Sequence, residues 1–159
     1  MKPSLYRNPA RKKAMQRPEQ MLQIAIFNQL KPLMAVQKCQ KFCAFHVPNG
    51  GYRTPAEAQA FFSMGTRSGV ADIILLLPPD PDVIGGTGRT VFVELKAFKP
   101  PKTKPDKKPD TAKLQSETQA DFMGIVQTLG FDYHVLAAKD AADACNQMAA
   151  ILQRYGVVA

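Results

Sequence analysis

The chemistry in this chain sits in two short stretches. In Gly69-Val-Ala-Asp-Ile-Ile-Leu-Leu-Leu77 a single carboxylate, Asp72, heads an otherwise apolar run. In Val91-Phe-Val-Glu-Leu-Lys96 apolar and polar positions alternate. Val91, Val93 and Leu95 therefore take one face of a strand, and Phe92, Glu94 and Lys96 take the other. Glu94 and Lys96 start roughly 6–7 Å apart along that face. A carboxylate in a buried run costs several kcal/mol unless a cation or a strong donor stands beside it. If Asp72 and Glu94 converge, they make an oxygen site for a hard divalent cation, which as Mg²⁺ keeps several of its waters. A lysine next to such a site stabilises an anionic transition state or orients an attacking water. Taken alone, a Glu-x-Lys pair is an ordinary surface feature. The acid set in the neighbouring apolar run is what points to chemistry.

Between the two stretches lie Pro78, Pro79, Asp80, Pro81, Asp82 and then Gly85-Gly86-Thr87-Gly88, a turn cluster that makes the pair a β-hairpin. Upstream, Pro18 and Glu19 open a helix through Met21, Leu22, Ile24, Ala25, Phe27 and Leu30, expected to continue past a kink at Pro32 towards Lys38. Lys41–Val47 reads as a strand that ends at the turn Pro48-Asn49-Gly50-Gly51. Thr54-Pro55-Ala56-Glu57 is a capping box for a helix that Gly65 stops. Phe98–Lys113, with its prolines, is a loop. Ser116-Glu117-Thr118-Gln119 is a second capping box, for a helix to Leu129 closed by Gly130. Asp132–Ala137 is a strand, and Asp140 caps a last helix that ends near Gly156. The sum is an α/β domain with a mixed central sheet flanked by helices on both faces.

At 159 residues the chain holds one domain with a core of its own, expected over 18–159 behind a basic arm at 1–17. No run of about 18 apolar residues offers a membrane span, and no apolar signal core follows the basic N-terminus. Cys39, Cys43 and Cys145 lack CxxC spacing and read as reduced thiols of a cytoplasmic, intracellular protein. Cys39, Cys43 and His46 lack a fourth metal ligand at suitable spacing, so structural roles fit them better. The net charge of +8 is unevenly placed. Lys2, Arg7, Arg11, Lys12, Lys13 and Arg17 meet no acid in the arm. Residues 96–113 carry seven lysines against Asp106 and Asp110, whereas 19–95 balance and 114–159 are acidic. A basic arm and a basic Pro/Lys-rich loop at 97–113 suit a phosphate backbone, or else a solvated tail and linker. His46 and His134 fall in predicted strands without a nucleophile partner and read as structural.

The ordered set of these pieces resembles the PD-(D/E)xK nuclease superfamily, and within it the virus-type replication-repair nuclease (VRR-Nuc) family, in its stand-alone phage-like form. The pieces are Pro18-Glu19-Gln20, Val47-Pro-Asn-Gly-Gly51, Met64-Gly-Thr-Arg-Ser-Gly-Val-Ala-Asp72, Val93-Glu-Leu-Lys96, Ser116-x-x-Gln119 and Leu129-Gly130, spread over residues 18–154. The Pro/Lys insertion before Ser116 departs from the family, whose members are short there. The resemblance implies a restriction-endonuclease-like core and metal-assisted hydrolysis of phosphodiesters with Mg²⁺, or Mn²⁺ as substitute. It implies Asp72, Glu94 and the Leu95 backbone carbonyl as metal ligands and Lys96 as the catalytic lysine. It also implies Glu19 facing the metal, directly or through water, and Gln119 packed beside the lysine. The residues themselves leave Glu19 open as a first-turn acid and Gln119 as the return half of a capping box. Arg11, Lys12, Lys13, Arg17, Arg53, Arg67, Lys99, Lys102 and Lys104 are the candidate DNA contacts, while Asn49 suits its turn. By the same resemblance the substrate is branched DNA, a four-way (Holliday) junction cut by a homodimer. The alternatives are a monomeric flap or nicking nuclease and a non-catalytic nucleic-acid-binding module on the same fold.

Overall fold

Alternation along the Arg89–Ala97 strand sorts its side chains into two layers. Val91, Val93 and Leu95 are buried on one face, and Phe92, Glu94 and Lys96 lie on the other. The structure, a computed structural model, describes residues 17–36, 39–40, 42–48, 54–103 and 108–157. The elements in chain order are α1 (Pro18–Met34), β1 (Ala35–Val36), β2 (Cys39–Gln40), β3 (Cys43–His46), α2 (Pro55–Ser63), β4 (Ile73–Leu77), β5 (Arg89–Ala97), α3 (Glu117–Thr128), β6 (Asp132–Ala138) and α4 (Ala141–Arg154). A short 3₁₀ turn, Thr111–Leu114, precedes α3.

The main sheet has the order β3-β4-β5-β6; β3, β4 and β5 are antiparallel, and β6 joins β5 in parallel. A parallel partner needs a crossover, and α3 supplies it. The sheet is therefore mixed, with helices on both faces. The larger core lies on the side of α1 and α4. There Leu22, Ile26 and Leu30 of α1 and Ala144, Met148 and Leu152 of α4 pack with Ile73, Leu75, Val91, Val93 and Leu95. On the other side, Ala71, Val126 and Tyr133 form a smaller core with Phe92, Phe122, Met123 and Val135 under α3.

Three details differ from the sequence expectation. Helix α1 carries Pro32 inside it but ends at Met34, short of Lys38, and a two-stranded hairpin (β1, β2) follows. Proline has no N–H to give the preceding turn, which weakens the helix just where it stops. Of the strand expected over 41–47, Cys43–His46 is regular, Phe42 and Val47 flank it, and Lys41 lies outside the described residues. The segment expected as pure loop before Ser116 contains the 3₁₀ turn. Both capping boxes form as read: Thr54 with Glu57, and Ser116 with Gln119. Gly65 and Gly130 follow their helices with positive φ, the left-handed conformation that ends helices. Among the described residues no helix is long and apolar enough to cross a membrane.

Candidate active site

Pairing register brings the two acids together. Ile73 pairs with Val93 and Ile74 with Phe92, so the next step of the antiparallel ladder sets Asp72 opposite Glu94. Asp72 sits just before β4 and turns back onto the sheet: its Oδ2 accepts the Leu95 backbone N–H at 2.9 Å. Glu94 is fully buried, the one buried charged residue among those described. Its carboxylate is surrounded by donors. Lys96 Nζ lies 2.9 Å from Oε1, Gln119 Nε2 donates to the same oxygen, and the Tyr133 hydroxyl is 3.5 Å from Oε2.

Gln119 ties the cluster together. Its Oε1 accepts from both the Ser116 backbone N–H and Lys96 Nζ, each at 2.9 Å, while its amide nitrogen serves Glu94. Both readings of Gln119 thus hold at once: it closes the capping box of α3 and sits between the acid and the lysine. The loop before Asp72 fixes this position. Gly69 has φ +79°, and a Cβ there would run into the Thr118 carbonyl and come within 2.9 Å of the Gln119 nitrogen. Only glycine lets residues 65–69 close onto the first turn of α3.

The electrostatics match the geometry. Burial pushes the Glu94 carboxyl up to about 7, and the nearby Asp72 and Glu19 charges push the same way, against Lys96, which pulls it down. The Asp72 charge therefore presses on Glu94, and the Lys96 ammonium 2.9 Å from Glu94 offsets part of it. Glu19, in the first turn of α1, is solvent-exposed, and its charge is felt at Glu94. Tyr133 is raised from its ordinary range by burial and by the charges of Glu94 and Asp72. Among the described residues no group of three or more His, Cys, Asp and Glu side chains gathers as a metal nest. Two carboxylates and a backbone carbonyl are nonetheless the kind of donor set that suits Mg²⁺, which binds through one or two carboxylates and keeps its waters. The residues present fit that ion, and the mutual repulsion of Asp72 and Glu94 is what a bound cation relieves.

The candidate DNA contacts divide. Arg17, Lys99 and Lys102 are solvent-exposed. The exposed Arg67 lies over the Phe122 ring at 5.8 Å, so its guanidinium is engaged with α3. Arg11, Lys12, Lys13, Arg53 and Lys104, together with Asn49, lie outside the described residues. Two participants escaped the sequence reading. Tyr133 reaches Glu94 only because β6 pairs with β5 in parallel, Tyr133 beside Phe92. His46, read as structural, holds the Asp72 carbonyl oxygen with its Nδ1 at 2.9 Å. His134 does have a packing role, its Nε2 lying 2.9 Å from the Tyr155 hydroxyl.

A mixed sheet between helices, with two acids and a lysine gathered where the central strands meet, defines an α/β domain with a polar cluster at the end of its central strands. A solved structure described as a "VRR_NUC domain protein" matches it with a TM-score of 0.51 at 16% identity, covering 89% of each chain. At that identity the likeness is one of fold: the chain has the VRR-Nuc fold, in accord with the resemblance in its sequence. No protein-family model and no curated protein matches the chain.

Proposed function

We propose that the protein is a divalent-metal-dependent, structure-selective DNA endonuclease that hydrolyses phosphodiester bonds of four-way junctions as a homodimer. The observation that carries this reading is the buried Glu94 bound at once by Lys96 and Gln119 and facing Asp72 across the ladder. Asp72, Glu94 and the Leu95 carbonyl would hold Mg²⁺, or Mn²⁺ in its place, with Glu19 at the rim of the site. The N–H and C=O of one strand residue project to the same edge. The Leu95 carbonyl therefore faces the gap into which its N–H donates to Asp72. When bound, such an ion supplies Lewis-acid polarisation of the phosphoryl oxygen and a lowered pKa for its water.

The side chains do the remaining work. Gln119 holds the Lys96 ammonium through its carbonyl oxygen, which keeps the amine at the mouth of the cluster. There Lys96 stabilises the charge that develops on the scissile phosphate or positions the attacking water. Tyr133 closes the floor beneath Glu94 and excludes solvent from it.

A second copy finds support in α2. This helix buries none of its residues, and Phe62 and Met64 at its end are 73% and 70% exposed beside a groove of about 690 Å³. A nine-residue helix is marginal on its own, and an apolar face of this kind marks an interaction surface. The test is cleavage of labelled duplex, flap and four-way junction DNA with Mg²⁺, Mn²⁺ or EDTA, with light scattering of the same samples. Metal-dependent junction cleavage by a dimer is expected, with a Phe62→Glu variant monomeric. A monomer that cuts flaps would replace the junction reading. No cleavage with either metal would leave a binding module.

A further inference from the structure

A second groove, of about 260 Å³, runs between α1 and the end of β3. Its lining is mostly polar, from Gln20, Gln23, Asn28, Lys31 and His46, with Ile24 and Phe27 as the apolar members. None of these residues is an acid, although Glu19 stands next to Gln20 in the sequence. The helical members fall at i, i+3, i+4, i+7, i+8 and i+11, which is one face of a helix. The face extends about 16 Å from Gln20 to Lys31, the axial rise of roughly five nucleotides of one DNA strand. One end of the groove abuts the catalytic cluster. His46 makes that junction, its Nδ1 lying 2.9 Å from the Asp72 carbonyl oxygen.

We infer that this groove binds the sugar–phosphate backbone of the strand being cut, a track that leads into the site from the α1 side. The inference rests on the nuclease reading above and names a contact surface outside the basic arm and loop. Side-chain amides and a lysine are the groups that hold phosphate oxygens and fix the register of a duplex, and they do so without reading sequence. Ile24 and Phe27 offer the sugars apolar contacts. The lining selects the ligand class: with one lysine and no acid, the groove favours an anionic backbone over a basic or apolar peptide.

Binding of fluorescently labelled duplex by the full chain, measured by anisotropy in EDTA across a salt series, tests the track. Lys31→Glu is expected to weaken binding about tenfold and to lower the slope of log K against log salt by about one. Gln20→Ala with Gln23→Ala, which leaves the charge unaltered, is expected to weaken binding about threefold with the slope retained. Arg154→Glu makes the same charge change as Lys31→Glu but in the last turn of α4, beside Tyr155, whose carbonyl oxygen accepts from Arg89 at the start of β5, and should keep the slope. Equal losses for Lys31→Glu and Arg154→Glu, together with wild-type affinity in the glutamine pair, would overturn the track and leave only a net-charge effect. The nuclease reading fails separately, if the wild-type chain cuts no DNA with Mg²⁺ or Mn²⁺ whatever its binding.

Discussion

Replacing Glu94 by glutamine should make the metal-free protein more stable at alkaline pH while removing its activity. Glu94 is buried, and burial together with the Asp72 charge lifts its carboxyl from 4.5 to about 7. A folded-state value above the unfolded one means that the native chain keeps this proton longer than the unfolded chain. The stabilising contribution is complete below about pH 4.5 and is lost as pH rises through about 7. At about 1.4 kcal/mol per unit, the ionised carboxylate destabilises the fold at pH 8 by up to about 3 kcal/mol. Glutamine stands in for the protonated acid. Its oxygen still accepts from Gln119 and Lys96, and its amide faces the Tyr133 hydroxyl, which can accept. Urea unfolding in EDTA should show Glu94→Gln more stable than wild type by about 2–3 kcal/mol at pH 8 and by under about 1 kcal/mol at pH 5. Magnesium should narrow the pH 8 gap, because only the carboxylate gains from the ion. A variant less stable than wild type at pH 8, or a gap that ignores pH, would refute the account of Glu94 as a strained acid awaiting a cation.

Other consequences are as direct. Lys96→Ala should retain DNA binding and lose about a hundredfold or more in single-turnover cleavage, as removal of a charge-stabilising donor does; wild-type rates would end its assignment. Gly69→Ala puts a methyl group against the Thr118 backbone at positive φ and should destabilise by about 1–3 kcal/mol, read by thermal unfolding, and slow cleavage by displacing Gln119. His134 is held below its ordinary pKa by burial first and then by Arg154, with Asp132 opposing. Its stabilising contribution is present above about pH 6.5 and is lost as pH falls below that value. His134→Gln should flatten that part of the Tm–pH curve, and an unchanged slope would count against the burial argument.

How far the sequence reached depends on how local each signal is. The side-chain period placed Glu94 and Lys96 on one face, and the apolar run marked Asp72, because both are properties of a few adjacent residues. The capping boxes at Thr54 and Ser116 were legible for the same reason, since each closes on itself within four residues. Tyr133 was invisible: nothing around it indicates that β6 lies parallel to β5 in the register that brings its hydroxyl beneath Glu94. The demand on Gly69 was equally hidden, because it comes from the approach of α3, about fifty residues later in the chain. The end of α1 was overrun because its apolar spacing continues past Pro32, whereas the backbone turns into a hairpin at Ala35.

The identity of residue 119 shows why the site and the fold are not separable here. A capping box accepts glutamate as readily as glutamine at its third position. Glutamate would serve the Ser116 N–H and the Lys96 ammonium equally well, since both need only an acceptor. It would fail at Glu94, whose oxygen needs a donor and whose carboxyl already feels Asp72 and Glu19. A third carboxylate in contact would push Glu94 further towards protonation, and a protonated Glu94 is a poor ligand for any cation. An amide meets all three demands, with an oxygen for the helix and the lysine and a nitrogen for the acid. The first turn of α3 is thus stabilised by the same atom that restrains the lysine, so the site's geometry is fixed as the helix forms.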